Sequence, residues 1–195
     1  MKVLYITANP KQASDSTSLT IGGAFMDAYR AHHPDDAVTT LDLCRSDIAP
    51  LTLADLSNMA DPAGAMQRHA RQFAEYDKYI IASPMWNLGI PAVLKAYIDH
   101  IMVAGVLFKY GVGGVPRGLL QGKKACVILS RGGVYRPWPL SLLVYDKRYL
   151  KRILRFIGIR DISFIVAEGT ELHRDKVEQI RAQGIREAQD IASEF

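Results

Sequence analysis

Short apolar runs rich in β-branched residues alternate with amphipathic segments along almost the whole chain, and this alternation restricts the fold more than any other feature. The runs are Val3–Thr7, Ala37–Leu41, Tyr79–Ala82, Ala125–Leu129 and Ile162–Ala167, each the length of a strand buried on both faces. Between and after them, helical spacing of apolar residues occupies Leu19–Ala31, Ala65–Tyr76, Pro91–Met102, Leu142–Ile157 and Arg174–Ser193. Pro91 suits a first helical turn, where its missing N–H has no partner to lose. Strand and helix in strict alternation predict a parallel sheet covered by helices on both faces.

Five such strands make the expected fold class α/β and flavodoxin-like: a doubly wound, five-stranded parallel sheet. At 195 residues the chain has the size of one domain, and we expect residues 1–195 to form it, since no repeat, low-complexity tract or linker divides them. Two connections are long, Leu43–Pro62 after the second strand and Val103–Gly122 before the fourth; length of that kind points to function, and these segments are candidate pocket walls. The two cysteines, Cys44 and Cys126, form no C-x-x-C pair, which excludes a redox or zinc motif and fits a reducing cytoplasm. No segment approaches the roughly 20 apolar residues needed to span a membrane, and Val3–Ile6 is too short for a signal sequence. The expectation is a cytoplasmic protein without metal.

In an open α/β sheet, ligands bind beyond the carboxyl ends of the strands, where the strand order reverses. Three loops in that position have unusual composition. After the first strand, Asn9-Pro-Lys-Gln-Ala-Ser-Asp-Ser-Thr-Ser18 runs into a helix. The free N–H groups and positive dipole end of a helix start bind phosphate, and Ser16, Thr17 and Ser18 add hydroxyl donors. Plain helix capping by Ser16 or Thr17 is the alternative. After the third strand, Ser83-Pro-Met-Trp-Asn-Leu-Gly-Ile-Pro91 can lay Met85, Trp86 and Leu88 along a flat ring, with Asn87 at its edge; a hydrophobic plug closing the sheet is the competing reading. After the fourth, Ser130-Arg-Gly-Gly133 lets backbone approach a ligand without Cβ obstruction, although an ordinary turn explains the glycines as well.

Taken together, phosphate donors, a stacking surface and close backbone N–H groups at adjacent strand ends describe a pocket for flavin mononucleotide (FMN). Other nucleotide motifs are missing: there is no G-x-x-x-x-G-K-[ST], and Gly111-Val-Gly-Gly-Val-Pro116 fails G-x-G-x-x-G at its last position.

The order and spacing of several blocks resemble the FMN-dependent NADH azoreductases, also known as FMN-dependent NADH:quinone oxidoreductases. The blocks are Ser16-Thr17-Ser18, the segment Pro84 to Asp99, Ala104-Gly-Val-Leu-Phe-Lys-Tyr110, Gly122-Lys-Lys-Ala125 and Ser130-Arg-Gly-Gly133. The resemblance spans nearly the whole chain. It implies FMN contacts at Asn9, Ser16, Thr17 and Ser18 for phosphate, Met85, Trp86, Asn87 and Leu88 along the ring, and Ser130, Arg131, Gly132 and Gly133 near the pyrimidine edge. It also implies a homodimer in which Phe108 or Tyr110 approaches the flavin of the neighbouring chain, the alternative for that pair being a buried loop anchor. Three positions depart from the family pattern: Asn9 replaces a frequent serine, Trp86 a usual tyrosine, and Tyr135 an expected histidine in the acceptor pocket. The Leu43–Pro62 connection is shorter than in typical relatives.

The implied activity is transfer of two electrons from NADH to a quinone or azo compound by a ping-pong mechanism, with chemistry carried by the flavin and no catalytic side chain. A flavodoxin-type electron carrier and an NAD(P)H-dependent flavin reductase are the rival functions. Lys147, Arg148, Lys151, Arg152 and Arg155 gather positive charge along one helix. A solvated face is the favoured reading of that stripe, and attraction of NADH or anionic dyes is the sharper one. The formal net charge of +4 favours anionic partners in general, but no recognition module for nucleic acid accompanies it.

Overall fold

The computed structural model describes residues 1–195. Its elements are β1 (Lys2–Thr7), α1 (Thr17–His32), β2 (Ala37–Asp42), α2 (Leu53–Ser57), α3 (Ala65–Ala74), β3 (Lys78–Pro84), α4 (Ala92–Ile101), β4 (Phe108–Tyr110), β5 (Pro116–Gly118), β6 (Lys124–Arg131), α5 (Asp146–Phe156), β7 (Asp161–Glu168) and α6 (Val177–Glu194). Five strands form a parallel sheet in the order β2-β1-β3-β6-β7, the flavodoxin-like arrangement.

Alternation of side chains along each strand divides the core into two layers. On one face Val3 and Tyr5 of β1, Ile80 and Ala82 of β3, and Cys126 and Ile128 of β6 pack against Ile21, Phe25 and Tyr29 of α1 and Ala188 and Ala192 of α6. On the other, Leu4, Ile6, Tyr79, Ile81, Val127 and Leu129 meet Phe73 of α3, Leu94 and Tyr97 of α4, and Leu150 and Leu154 of α5. Every residue of β3 is buried, as its central place requires. The run Ala37–Leu41 departs from expectation: β2 is an edge strand with only β1 beside it, and all of its residues are exposed or half-buried.

Glycines set two close approaches. A Cβ on Gly184 of α6 would stand 2.4 Å from Ile21 Cδ1, so its absence allows α6 to lie against α1. On Gly118 a Cβ would stand 2.2 Å from backbone atoms of Ile157 and Gly158, where β5 crosses the end of α5.

The long connections differ from expectation in form. Leu43–Pro62 holds the short helix α2, started by a capping box between Thr52 and Asp55, and His100 of α4 anchors it through Nε2 at 2.9 Å from the Ala49 carbonyl. Val103–Gly122 folds into the antiparallel pair β4–β5. Pro91 stands one position earlier than expected, as the residue capping α4 rather than inside its first turn. No helix is long and apolar enough to cross a membrane.

Candidate functional site

Connections from β1 and β3 leave the sheet in opposite directions, because β1 is followed by edge strand β2 while β3 is followed by β6. A crevice opens where they part. It is a cleft of about 240 Å³ lined by Asn9, Lys11, Asp15, Ser16 and Thr17 after β1, Pro84, Met85 and Trp86 after β3, Ser130 and Gly132 after β6, Thr170 and Glu171 after β7, and Val177 and Arg181 of α6. The three loops singled out in the sequence thus share one space.

The β1 loop is built by its own polar side chains. Asn9 Nδ2 donates to Ser16 Oγ at 2.7 Å, and Asn9 Oδ1 accepts from the Lys11 N–H at 3.1 Å. Ser16 caps α1, accepting from the Leu19 N–H at 3.3 Å. The backbone N–H groups of Thr17 and Ser18 donate to no protein acceptor, as expected at a helix start. The serine-threonine triplet is split: Ser16 and Thr17 line the cleft, whereas the Ser18 side chain is fully buried, with Ser16 Oγ 3.3 Å from its hydroxyl. Capping and cleft lining coexist at Ser16.

The β3 loop turns sharply. Trp86 and Gly89 exchange two backbone hydrogen bonds of 3.0 Å, and the residues between them, Asn87 and Leu88, have φ of +48° and +69°. Both central residues in the left-handed region define a type I′ turn. Asn tolerates that conformation; a leucine there costs of the order of 1–3 kcal/mol and is held only by its surroundings. The Leu88 carbonyl accepts from the Tyr145 N–H at 2.7 Å, which pins the turn to the start of α5. Trp86 lines the cleft and is exposed, whereas Leu88 is exposed but, like Asn87, does not line it, so the plug reading does not describe them.

The glycine loop after β6 has all four carbonyls occupied. Ser130 accepts from Met85 at 2.8 Å, Arg131 from Thr170 at 3.1 Å, Gly132 from Glu171 at 3.0 Å and Leu172 at 2.9 Å, and Gly133 from Gly169 at 3.0 Å. The N–H groups of Gly132 and Gly133 have no protein acceptor. The loop is therefore a held set of free donors. The Tyr135 ring lies over Gly133, where an added Cβ would be 3.0 Å from Tyr135 Cε2.

Some expected residues are not brought to the cleft. The Arg131 side chain is buried in ion pairs with Asp146 and Glu168, both at 2.7 Å, so only its backbone remains near the site. Phe108 is 7% exposed and packs against Phe156 at 4.8 Å between ring centres, while Tyr110 is 66% exposed. The pair is thus one buried anchor and one exposed ring set edge-on against it at 5.6 Å, and neither lines the cleft of its own chain. Neither long connection contributes a wall to it. Residues that sequence reasoning missed are Thr170 and Glu171, which obey the same strand-end rule after β7, and Arg181, for which no local pattern exists.

A larger groove of about 910 Å³ runs beside the β3 loop, lined by Gly89, Ile90, Lys95, Tyr145, Arg148, Tyr149, Lys151, Arg152 and Arg155. The basic stripe of α5 is divided accordingly. Lys147 leaves it to lie over the Phe164 ring at 4.9 Å, and burial followed by the nearby cations lowers its pKa. The other four cations face the groove, which contains no carboxylate among its lining residues.

A family model described as flavodoxin-like fold matches residues 1–192. A protein of Caldicellulosiruptor bescii named FMN-dependent NADH:quinone oxidoreductase is 44% identical over 200 residues, covering 100% of this chain and 99% of that protein. The crystal structure of azoreductase AzrA superposes with a TM-score of 0.92 at 33% identity, with 100% of both chains covered. An FMN-dependent NADH-azoreductase from Bacillus anthracis, solved in complex with FMN, superposes with a TM-score of 0.89 at 26% identity, covering 100% of this chain and 99% of that one. Full-length similarity on this scale means that the chain belongs to the flavodoxin-like family of FMN-dependent NADH:quinone oxidoreductases and azoreductases.

Proposed function

We propose that this protein is an FMN-dependent oxidoreductase that carries two electrons from NADH to a quinone or azo acceptor. The observation that carries the reading is the presence of unpaired backbone donors at one crevice: Thr17 lines it at the start of α1 with Ser18 next in the chain, and Gly132 lines it from the β6 loop with Gly133 next in the chain. A phosphate at one end and an electron-rich ring edge at the other are the acceptors that such donors fit. Relatives of this length and similarity carry the activity in their names.

Ser16 and Thr17, with the α1 N–H groups, hold the phosphate. Met85 and Trp86 flank the ring, and the strained Asn87–Leu88 turn keeps them at the mouth of the cleft. When bound, FMN supplies the electron chemistry, and the protein supplies binding, orientation and electrostatics. Gly132 and Gly133 stabilise negative charge at the pyrimidine edge through donors already oriented by the loop. No side-chain acid or base is assigned a role. Donor and acceptor use the same open face in turn, and a second copy of the chain completes the acceptor pocket with Tyr110.

The test is spectroscopic and kinetic. Purified protein should bind FMN, NADH should bleach the bound flavin anaerobically without any partner protein, and double-reciprocal plots against a quinone should be parallel. Intersecting lines would remove the ping-pong scheme, and a protein that takes up no flavin would remove the reading altogether.

A further inference from the structure

The cleft receives one side chain from the far end of the sequence. Arg181 lies in the second turn of α6, and its Nε donates to Thr17 Oγ1 at 3.3 Å, across 164 positions of chain. Its side chain is largely covered, 19% exposed, and it lines the same cleft as Ser16 and Thr17. Its ion-pair partner is Glu178, at 3.0 Å, whose own side chain is 79% exposed and turned to solvent.

The charge lining the cleft makes this position consequential. Lys11 and Arg181 contribute two positive charges, and Asp15 and Glu171 two negative ones, the Glu171 carboxylate being paired with Arg174 at 2.7 Å. Without Arg181 the lining would hold Lys11 alone against Asp15 and the already paired Glu171. A dianionic phosphate would then meet side chains of no net positive charge and would be attracted by the α1 N–H groups alone. A guanidinium is also suited to this task, because it stays charged and offers several donors in a planar fork.

We propose that Arg181 is a phosphate-binding residue of this site, bridging the Thr17 hydroxyl and the FMN phosphate from α6 and making the pocket selective for the phosphorylated flavin over riboflavin. The inference rests on the flavin reading above. Gly184, one turn further along, permits the close approach of α6 to α1 that brings Arg181 to the cleft. The C-terminal helix is thereby a working part of the cofactor site as well as a cover for the sheet.

The experiment is titration of apoprotein with FMN and with riboflavin, followed by quenching of flavin fluorescence, together with apoprotein melting. For Arg181→Gln the expected result is FMN binding weakened about tenfold to a hundredfold, the range of one charge-assisted hydrogen bond, with riboflavin binding unchanged within about twofold. Equal loss of both flavins would make Arg181 a structural strut and overturn the proposal, as would unchanged FMN affinity. If Arg181→Gln does not fold, Glu178→Gln decides the matter, since it removes only an exposed counter-charge. It should raise the preference for FMN over riboflavin, by up to about fivefold at low ionic strength, and an unchanged preference would overturn the proposal. Unaltered protein that binds neither flavin would instead defeat the functional reading itself.

Discussion

Arg131, the last residue of β6, grips Asp146, the first residue of α5, with two parallel hydrogen bonds: Nε to Oδ2 at 2.9 Å and Nη2 to Oδ1 at 2.7 Å. Asp146 is fully buried, and Glu168 at the end of β7 accepts from Arg131 Nη1 at 2.7 Å. Three elements are tied together directly behind the glycine loop, which explains how that loop keeps its N–H groups aimed without help from a ligand. Breaking a buried pair from one side costs about 3–5 kcal/mol, because the remaining charge stays desolvated. Asp146→Ala should fall toward the lower end of that range, since Glu168 still faces Arg131. Urea unfolding measures it, and a loss under about 1 kcal/mol would contradict the pairing. The double change Arg131→Met with Asp146→Leu should not restore the stability unless Glu168 is made apolar as well, because that buried carboxylate would otherwise lose Arg131 and stay desolvated.

Phe108 and Tyr110 are two residues apart and should respond to alanine in opposite ways. Phe108 is buried against Phe156, so Phe108→Ala should cost about 3–5 kcal/mol of stability. Tyr110 is exposed, so Tyr110→Ala should change stability by less than about 0.5 kcal/mol while lowering acceptor turnover in the proposed dimer. Steady-state kinetics beside thermal melting separates the two effects. Full turnover in Tyr110→Ala would eliminate the partner-pocket role.

Two titrations contribute to the acid stability. His69 has its pKa lowered by burial, then by His100 and Arg68, so its neutral form is favoured in the fold and stability falls as pH drops below the ordinary histidine value of about 6.5. Asp36 is held at about 2 by hydrogen bonds from the N-terminal amine and Tyr29, with Lys78 adding attraction. Its folded pKa is depressed, so its contribution is intact above the ordinary value of about 4 and lost as pH falls to about 2. Melting temperature against pH should show both steps. Asp36→Asn should remove only the lower one and His69→Gln only the upper, and profiles that superimpose on the parent would refute the assignments.

The cationic groove beside the β3 loop should matter to anionic substrates. Neutralising Arg148 and Arg152 to glutamine should raise the KM for NADH about twofold to tenfold at low ionic strength, with kcat unchanged and the difference shrinking as salt is added. A solvated face predicts no change. Identical KM values at low salt would therefore return these arginines to that simpler role.

Much of this could be read from the sequence because it depends on local chemistry. Five β-branched runs separated by helical spacing allow one economical burial of apolar surface, a covered parallel sheet. Strand-end loops then mark the site wherever the strands run, so Ser16, Thr17, Met85, Trp86, Ser130 and Gly132 were identifiable before any coordinates. The sequence also carried the turn residues and the α1 cap, since both act over three or four positions. Only the tertiary structure decided which neighbouring side chains turn inward. Ser18 is buried while Thr17 is in the cleft, Phe108 anchors while Tyr110 is exposed, and Arg131 is taken out of the site by partners 15 and 37 positions away. The arrival of Arg181 beside Thr17 depends on the packing of α6 against α1. The physical reason is the same throughout: periodicity reports the face of an element, but a long side chain goes where distant elements place its charge partners and its cover, and that information is not local.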